Sequence, residues 1–367
     1  MKKGSALADT DIKTYLGLFK DYQPLSTAFD EFFNKEFPVD PNLQKIIRFF
    51  DQLPFDHFKF LHELAHGLFR QRGITFNVYS NQDGQEKIFP FDLIPRVICN
   101  DEWRKVERGL EQRIQALNAF LLDIYSKQQI LKDGAIPKDI VLSSTGYLPQ
   151  LRGIKPPGGI YLNIAGIDLI RENDSLTVLE DNLKVPSGVS YVLENRRISK
   201  QLFPGIFSEV PILGTDDYPL QLKKTLLEGV SSNISDPLLV LLTPGPFNSA
   251  YFEHVYLSHR MGCPLVQNSD LIVDNEIVYL KTLKGLKRVD VIYRRTDDEF
   301  IDPTFFNPQS LLGVPGLISA YSKGNVILAN ALGNGVADDK AVYPYVPDMI
   351  RYYLNEEPIL PQVETYA

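Results

Sequence analysis

The chain has 367 residues, which at ~150 residues per domain corresponds to two or three domains. Its 38 basic and 46 acidic side chains give a net charge of −8, which argues against binding to nucleic acid or to an anionic membrane surface. The two cysteines, Cys99 and Cys263, lie far apart and show no metal-ligand spacing, as expected for a reducing compartment. There is neither a signal-peptide core nor an apolar run near the ~20 residues of a membrane span, so the sequence predicts a cytoplasmic protein.

The first part of the chain, residues 1–72, is predicted to be helical because apolar side chains recur three and four positions apart. Gly73 marks the expected end of the last helix in this region. A strand is predicted over 74–79, followed by a turn at 81–84 and a second extended segment over 88–98.

A long helix is predicted over 102–126, since an unbroken apolar stripe runs along it from Trp103 onwards. Asn100 or Asp101 can cap its start. A second helix is predicted over 187–202, ended by a proline.

The last third of the chain predicts an α/β domain, because a buried-strand pattern at 238–242 is followed by a loop, a helix over 249–261 and further short strands. The further strands are predicted at 265–266, 271–273, 277–280 and 289–293. The fold class is therefore mixed α/β and α+β.

A pair of extended segments flanks the turn-forming residues 173–175 and predicts a hairpin. In a hairpin centred on residue 174, Asp168 lies opposite Glu180, and Asn182 shares their face. Two opposed carboxylates repel unless a cation offsets their charge, and Mg²⁺ takes such oxygen ligands while keeping places for water and phosphates. A magnesium site is one interpretation, and a solvated acidic hairpin is the other.

The order Asp, twelve residues, Glu-x-Asn resembles the metal-binding hairpin of ATP-grasp ligases. The wider sequence resembles the circularly permuted ATP-grasp family (type 2) related to glutathionylspermidine synthase, over about residues 73–360. The stretches that carry this resemblance are 73–79, 89–96, 112–121, 166–171, 179–196, 312–317 and 336–342.

The resemblance implies an ATP-dependent ligase that joins a carboxylate, on a small molecule or a peptide, to an amine through an acyl phosphate. It implies ATP and Mg²⁺ as cofactors, with Asp168, Glu180 and Asn182 holding the metal. The acid, the amine and the oligomeric state stay open. Three regions follow: a helical N-terminal region (1–72), half of a permuted ATP-grasp domain with the metal hairpin (73–205), and a Rossmann-like domain (206–367).

Two features depart from the family pattern. Gly166 stands where glutathionylspermidine synthases carry an arginine, two residues before the metal-binding Asp168. The family also continues into a lysine-containing, glycine-rich segment that covers the nucleotide, whereas this sequence stops at Ala367. We therefore expect a fragment or a chain with half of the nucleotide site, and an ATP-grasp-like binding protein without catalysis is the alternative function.

Further candidates for nucleotide or substrate binding come from local patterns. Ser187 and Gly188 precede a helix whose N-terminal amides can hold an anion, although a simple N-cap by Ser187 is the favoured interpretation. Arg294 and Arg295 end a strand and can bind a substrate carboxylate or pair with the acidic residues that follow. Lys340 can meet a phosphate, as a lysine at the corresponding junction does in related ligases, or lie in solvent.

One motif indicates different chemistry. The sequence from His62 to His66 fits HExxH, so both imidazoles lie on one helix face and can share a zinc ion. Glu86 is a conceivable third ligand, and the extended form of the motif is absent because Arg72 occupies the place of its third histidine. A zinc hydrolase is the third hypothesis, and ordinary helix packing is the competing interpretation.

Overall fold

A computed structural model of the protein describes residues 15–25, 27–33, 40–78, 85–88, 90–173 and 175–366. The predicted turn at 81–84 lies outside the described residues. Among the described residues, no helix is both long and apolar enough to cross a bilayer. The helices and strands, in chain order, are α1 Pro41–Asp51, α2 Phe55–Gln71, β1 Thr75–Val78, β2 Gln85–Ile88, α3 Asn100–Ile124, α4 Gln129–Lys132, α5 Lys138–Ser143, β3 Gly166–Glu172, β4 Ser175–Asn182, α6 Val189–Leu202, α7 Pro204–Glu209, α8 Tyr218–Leu227, β5 Leu239–Leu242, α9 Tyr251–Met261, β6 Leu265–Val266, β7 Leu271–Asp274, β8 Ile277–Thr282, β9 Gly285–Arg288, β10 Val291–Arg294, α10 Leu317–Ser322, β11 Ile327–Ala329 and α11 Val346–Met349.

The chain divides into two compact units. One contains the described residues up to Trp103 together with those of Arg171–Ser175 and Tyr191–Thr215. The other contains Arg104–Ile170, Leu176–Ser190 and the chain from Asp216 onwards. The mixed α/β fold class is confirmed, whereas the predicted boundaries between three regions stay predictions.

The first unit is helical in part. Helix α1 begins where the Asp40 side chain accepts from the N–H groups of Asn42 and Leu43. Residues 15–25 and 27–33 form turns, although a helix was expected, and there the carboxylate of Asp51 accepts the backbone N–H groups of Gly17 and Phe19. Such side-chain acceptors compete with helical hydrogen bonds.

The strand predicted over 74–79 and the helix predicted over 102–126 are confirmed as β1 and α3, with slightly different ends. Strand β1 pairs antiparallel with β2, Thr75 opposite Ile88. The second extended segment was predicted over 88–98, but β2 ends at Ile88, and two prolines in the following residues fit its end there. Trp103 was placed in the apolar stripe of α3, yet its side chain is 39% exposed. The buried part of the stripe begins at Val106.

The second unit contains a four-stranded parallel sheet in the order β11-β10-β5-β6. Both faces are covered, as parallel strands require. Along β5, Val240 and Leu242 pack into one core cluster, while Leu239 and Leu241 pack into another. The first cluster also contains the C-terminal half of α3.

The direction in which the chain adds strands to this sheet reverses after β6, so that β5 and β10 are neighbours. The chain passes from β5 through α9 to β6 on one side, and β10 then joins β5 on the other side. The carboxyl ends of β5 and β10 are therefore neighbours, and Arg295 N–H donates to Leu242 O at 2.8 Å. Open α/β sheets commonly bind ligands at such a reversal point.

Candidate functional site

The hairpin predicted around residue 174 is present as β3 and β4, which form a two-stranded sheet. Asn173 in its turn has φ +54°, a conformation that asparagine tolerates better than most residues. Alternation along β4 separates Glu180 and Asn182 from Asp181, which is buried. The two faces of this strand therefore serve different purposes.

The three predicted metal ligands meet on one face of the hairpin. Asp168 lies close enough to Glu180 and Asn182 that both side chains affect its pKa. The Asn182 Nδ2 donates to Glu180 Oε1 at 3.3 Å. The structure thus brings two carboxylates and one amide together across the two strands, and their binding of a metal stays a prediction.

The two carboxyl groups of this face have opposite pKa shifts. Removal of water from part of the Asp168 side chain raises its pKa, and the neighbouring Glu180 carboxylate raises it further. Hydrogen bonds from Lys340 and then from Asn182 lower the pKa of Glu180. A cation between the two would relieve the repulsion that Asp168 experiences, so the donor set fits a hard divalent cation.

Lys340 lies at this site. Its Nζ is 3.1 Å from Glu180 Oε2, and its side chain is 84% exposed, against 30% for Glu180. The structure therefore joins a residue proposed for phosphate binding to a residue proposed for metal binding.

The opposite face of β4 is anchored by a buried ion pair. Arg113 of α3 donates to both oxygens of Asp181, at 2.7 and 2.6 Å, and the two side chains are 3% and 2% exposed. The Arg113 guanidinium also lies 5.3 Å from the centre of the Tyr343 ring. This bidentate pair fixes the strand segment from which Glu180 and Asn182 project.

The end of the hairpin is held by two residues that were not singled out from the sequence. Asp338 accepts the N–H groups of Leu183 and Lys184 at 3.0 and 2.8 Å, and burial raises its pKa. Asn330 donates to the carbonyls of Ile164 and Leu183, both at 2.7 Å. Both contacts involve backbone groups distant in sequence, which no local pattern reveals.

Gly166 has a steric reason to be glycine. A Cβ there would lie 3.0 Å from the Cβ of Pro186 and 3.5 Å from that of Asn182. An arginine at this position, as expected from the resemblance to glutathionylspermidine synthases, would require Pro186 to move.

The predicted anion site at the start of α6 already holds a carboxylate of the protein. Glu253 of α9 is fully buried, and its Oε2 accepts from the Gly188 and Ser190 N–H groups at 2.8 and 3.0 Å and from the Ser190 hydroxyl at 2.9 Å. Ser187 is exposed beside it. The sequence did not point to Glu253, because a glutamate within a helical pattern gives no indication of partners that lie far away in the sequence.

Both candidate arginines are buried. Arg294 donates to the carbonyls of Thr296, Asn330 and Ala331 and pairs with Asp298 at 2.7 Å, in line with the ion-pair alternative. Its guanidinium nitrogens are thus all hydrogen-bonded to other groups of the protein.

Arg295 follows β10 at the sheet reversal and joins the cluster around Glu253. It donates to the carbonyl of Pro186 at 2.6 Å and to the Tyr293 hydroxyl at 2.9 Å, and it lies 3.4 Å from Glu253 Oε1. Binding of a substrate by either arginine stays a prediction.

The HExxH histidines lie together on α2, with ring centres 4.3 Å apart. Burial lowers the pKa of His66, and the charges of His62 and Arg70 lower it further. No group of three or more His, Cys, Asp or Glu side chains is arranged to hold a metal among the described residues. The side chain of Glu86, the suggested third ligand, lies outside that description.

Comparison with known proteins identifies the family of this chain. The family model "Circularly permuted ATP-grasp type 2" matches residues 95–367. An uncharacterized protein of Synechocystis sp. is 51% identical over 348 residues, which cover 95% of this chain and 72% of that protein. The chain belongs to the circularly permuted ATP-grasp type 2 family.

More distant relatives carry functional names or solved structures. A Frankia alni protein named "Putative glutamate--cysteine ligase 2-3" is 39% identical over 355 residues, covering 95% of this chain and 40% of that protein. A glutathione synthetase-like effector from Globodera pallida shares the fold at a TM-score of 0.53 and 13% identity, over 80% of this chain and 67% of that one. The chain thus spans from less than half to about three quarters of the length of these proteins.

Proposed function

We propose that the chain carries the metal-binding part of an ATP-dependent ligase that joins a carboxylate to an amine. Membership of the ATP-grasp family and the ligase names of the Frankia relatives support an ATP-dependent ligase in general. The observation that carries the finer proposal is the meeting of Asp168, Glu180 and Asn182 on one face of the hairpin.

In this proposal those three side chains hold Mg²⁺, which when bound neutralises phosphate charge during transfer. Asp168 and Glu180 supply two negative charges and Asn182 supplies a neutral oxygen. Arg113 and Asp338 keep the strand and its end in place, so that the ligands need little rearrangement when the cation binds.

The proposed reaction has two steps. An oxygen of the substrate carboxylate attacks the γ-phosphorus of ATP, the bond to the bridging oxygen breaks, and ADP leaves. The amine nitrogen then attacks the acyl carbon, phosphate leaves with the electron pair of the broken C–O bond, and the nitrogen loses a proton. An acyl phosphate is thus consumed in forming the amide.

The test is Mn²⁺ binding and ATP turnover by the chain and its Asp168→Asn and Glu180→Gln variants. We expect each substitution to weaken Mn²⁺ binding by about tenfold or more, because a charged ligand is lost. Glu172→Gln, which neutralises an exposed carboxylate near the tip of the same hairpin, is the matched control and should bind as the unaltered chain does.

Unchanged Mn²⁺ affinity in both site variants would show that the assigned metal site is wrong. Metal binding that depends on Asp168 and Glu180, without ATP turnover on any carboxylate and amine supplied, would favour the alternative of a binding protein that does not catalyse.

A further inference from the structure

Glu180 has a donor on each of its two carboxylate oxygens. Lys340 Nζ lies 3.1 Å from Oε2, and Asn182 Nδ2 donates to Oε1 at 3.3 Å. A divalent cation on Glu180 uses lone pairs of the same carboxylate, and an ammonium group held 3.1 Å from Oε2 would repel that cation. The contact with Lys340 and the coordination of a metal by Glu180 therefore compete.

We propose that Lys340 is a built-in counter-cation of Glu180 that the divalent cation displaces, and that the displaced ammonium then binds a phosphate of the nucleotide. This inference rests on the metal site proposed above. It assigns to Lys340 an exchange between two anionic partners, first the carboxylate and then the phosphate.

Because Lys340 is exposed, breaking its ion pair with Glu180 costs little free energy. At 84% exposure its ammonium group remains hydrated, and an ion pair in that position contributes little to stability. Its flexible stem can carry the charge away from Glu180 without disturbing the core. Asn182 needs only a rotation of its amide to present Oδ1 instead of Nδ2 to a metal.

The backbone next to Lys340 is held close to the hairpin. Asp338, two residues earlier, accepts the N–H groups of Leu183 and Lys184 directly after β4. Asp339 accepts a hydrogen bond from the Ser144 hydroxyl and another from the N–H of Ala341. A displaced Lys340 ammonium therefore stays within reach of the site, where a metal-bound polyphosphate would bring new negative charge.

The exchange predicts effects of opposite sign for one substitution. Lys340→Met removes the competitor of the metal, so the affinity for Mn²⁺ alone should rise, by about two- to fivefold at low ionic strength. The same variant lacks a phosphate partner, so its affinity for the Mn²⁺–ATP complex should fall. If Lys340 only lies in solvent, Lys340→Met should leave both affinities unchanged.

Mn²⁺ binding to the full chain, followed by the loss of the free-ion electron paramagnetic resonance signal, tests the first effect. Lys340→Arg keeps the charge and should bind Mn²⁺ as the unaltered chain does. Lys287→Met removes one charge from another exposed ion pair, with Asp236 at 3.6 Å, and controls for net charge. The gain in Lys340→Met should shrink as salt is added, because screening weakens the pair.

Isothermal titration with the Mn²⁺–ATP complex tests the second effect. Equal Mn²⁺ affinity in Lys340→Met and the unaltered chain, with binding still weakened by Glu180→Gln, would overturn the exchange and leave the metal site standing. Binding that Glu180→Gln does not change would overturn both. A rise in affinity for Mn²⁺ and for Mn²⁺–ATP together would overturn the transfer to phosphate.

Discussion

The buried pair of Arg113 and Asp181 lies on the face of β4 opposite the candidate ligands. Both carboxylate oxygens and two guanidinium nitrogens are used, and neither side chain has appreciable contact with solvent. Because Asp181 lies between Glu180 and Asn182 in the chain, this pair determines which way its two neighbours project. The ion pair therefore has a positioning role for the site as well as a structural one.

Removal of one partner should be costly, since the other charge is left buried and uncompensated. Asp181→Asn should lower the free energy of unfolding by about 3–5 kcal/mol. Urea denaturation followed by circular dichroism measures this loss, with the exposed Glu172→Gln expected to remain within about 0.5 kcal/mol of the unaltered chain. A loss below about 1 kcal/mol for Asp181→Asn would contradict the anchoring role of the pair.

At the level of elements, strand β4 has a second neighbour besides β3. Residues 361–363 run parallel to β4. Val178 N–H donates to Pro361 O, and Val363 N–H donates to Val178 O, both at 2.9 Å. Leu360 packs into the cluster that contains Val178. The close approach of this segment to α3 depends on Gly109, where a Cβ would lie 2.4 Å from Leu360 Cγ.

Gly109→Ala should therefore push Leu360 out of place and loosen this segment, at a cost of about 1–3 kcal/mol for the clash. Hydrogen exchange should accelerate at the amides of Val178 and Val363, and combining the substitution with Leu360→Ala should restore protection in part. Gly67→Ala is the control, because nothing lies within 4 Å of its added Cβ in α2. Unaltered protection in Gly109→Ala would show that the segment tolerates the extra methyl group.

Elements with local signals were predictable from the sequence. The hairpin and the shared face of its three candidate ligands followed from strand alternation and turn residues. Likewise, β5, α9 and β6 followed from a buried strand, a loop and an amphipathic helix. Contacts that depend on distant backbone groups were not predictable. Glu253 at the start of α6 and Asp338 at the end of β4 are examples, because their partners lie more than sixty and more than one hundred and fifty residues away.

On the scale of the whole molecule, the candidate ligands and the sheet reversal belong to the same compact unit, although they come from distant parts of the chain. The whole chain has a formal net charge of −8, and the interior at the sheet reversal holds Glu253, Arg295 and His254. His254 shares a hydrogen bond with Thr243 through Nδ1 at 2.9 Å. Acidification acts on this interior through His254, which is buried in the neutral state and must take up a proton when the chain unfolds in acid.

Stability should fall as the pH is lowered because of His254. Burial lowers the pKa of His254 from 6.5 to about 3, and the Arg295 charge contributes to the shift. The folded-state pKa lies below the unfolded-state value, so protons bind preferentially to the unfolded chain. The contribution of this residue is complete above about pH 6.5 and is lost as the pH falls towards 3. Between pH 7.5 and 5.5 the loss amounts to about 1.4 kcal/mol.

Urea denaturation of the unaltered chain and of His254→Gln at these two pH values isolates that part of the pH dependence. The variant should lose about 1.4 kcal/mol less than the unaltered chain on going to pH 5.5. His259→Gln, an exposed histidine near the end of the same helix, should keep the full dependence. If His254→Gln and the unaltered chain respond equally to pH, the imidazole takes up its proton in the folded protein, and the buried neutral state assigned to it is wrong.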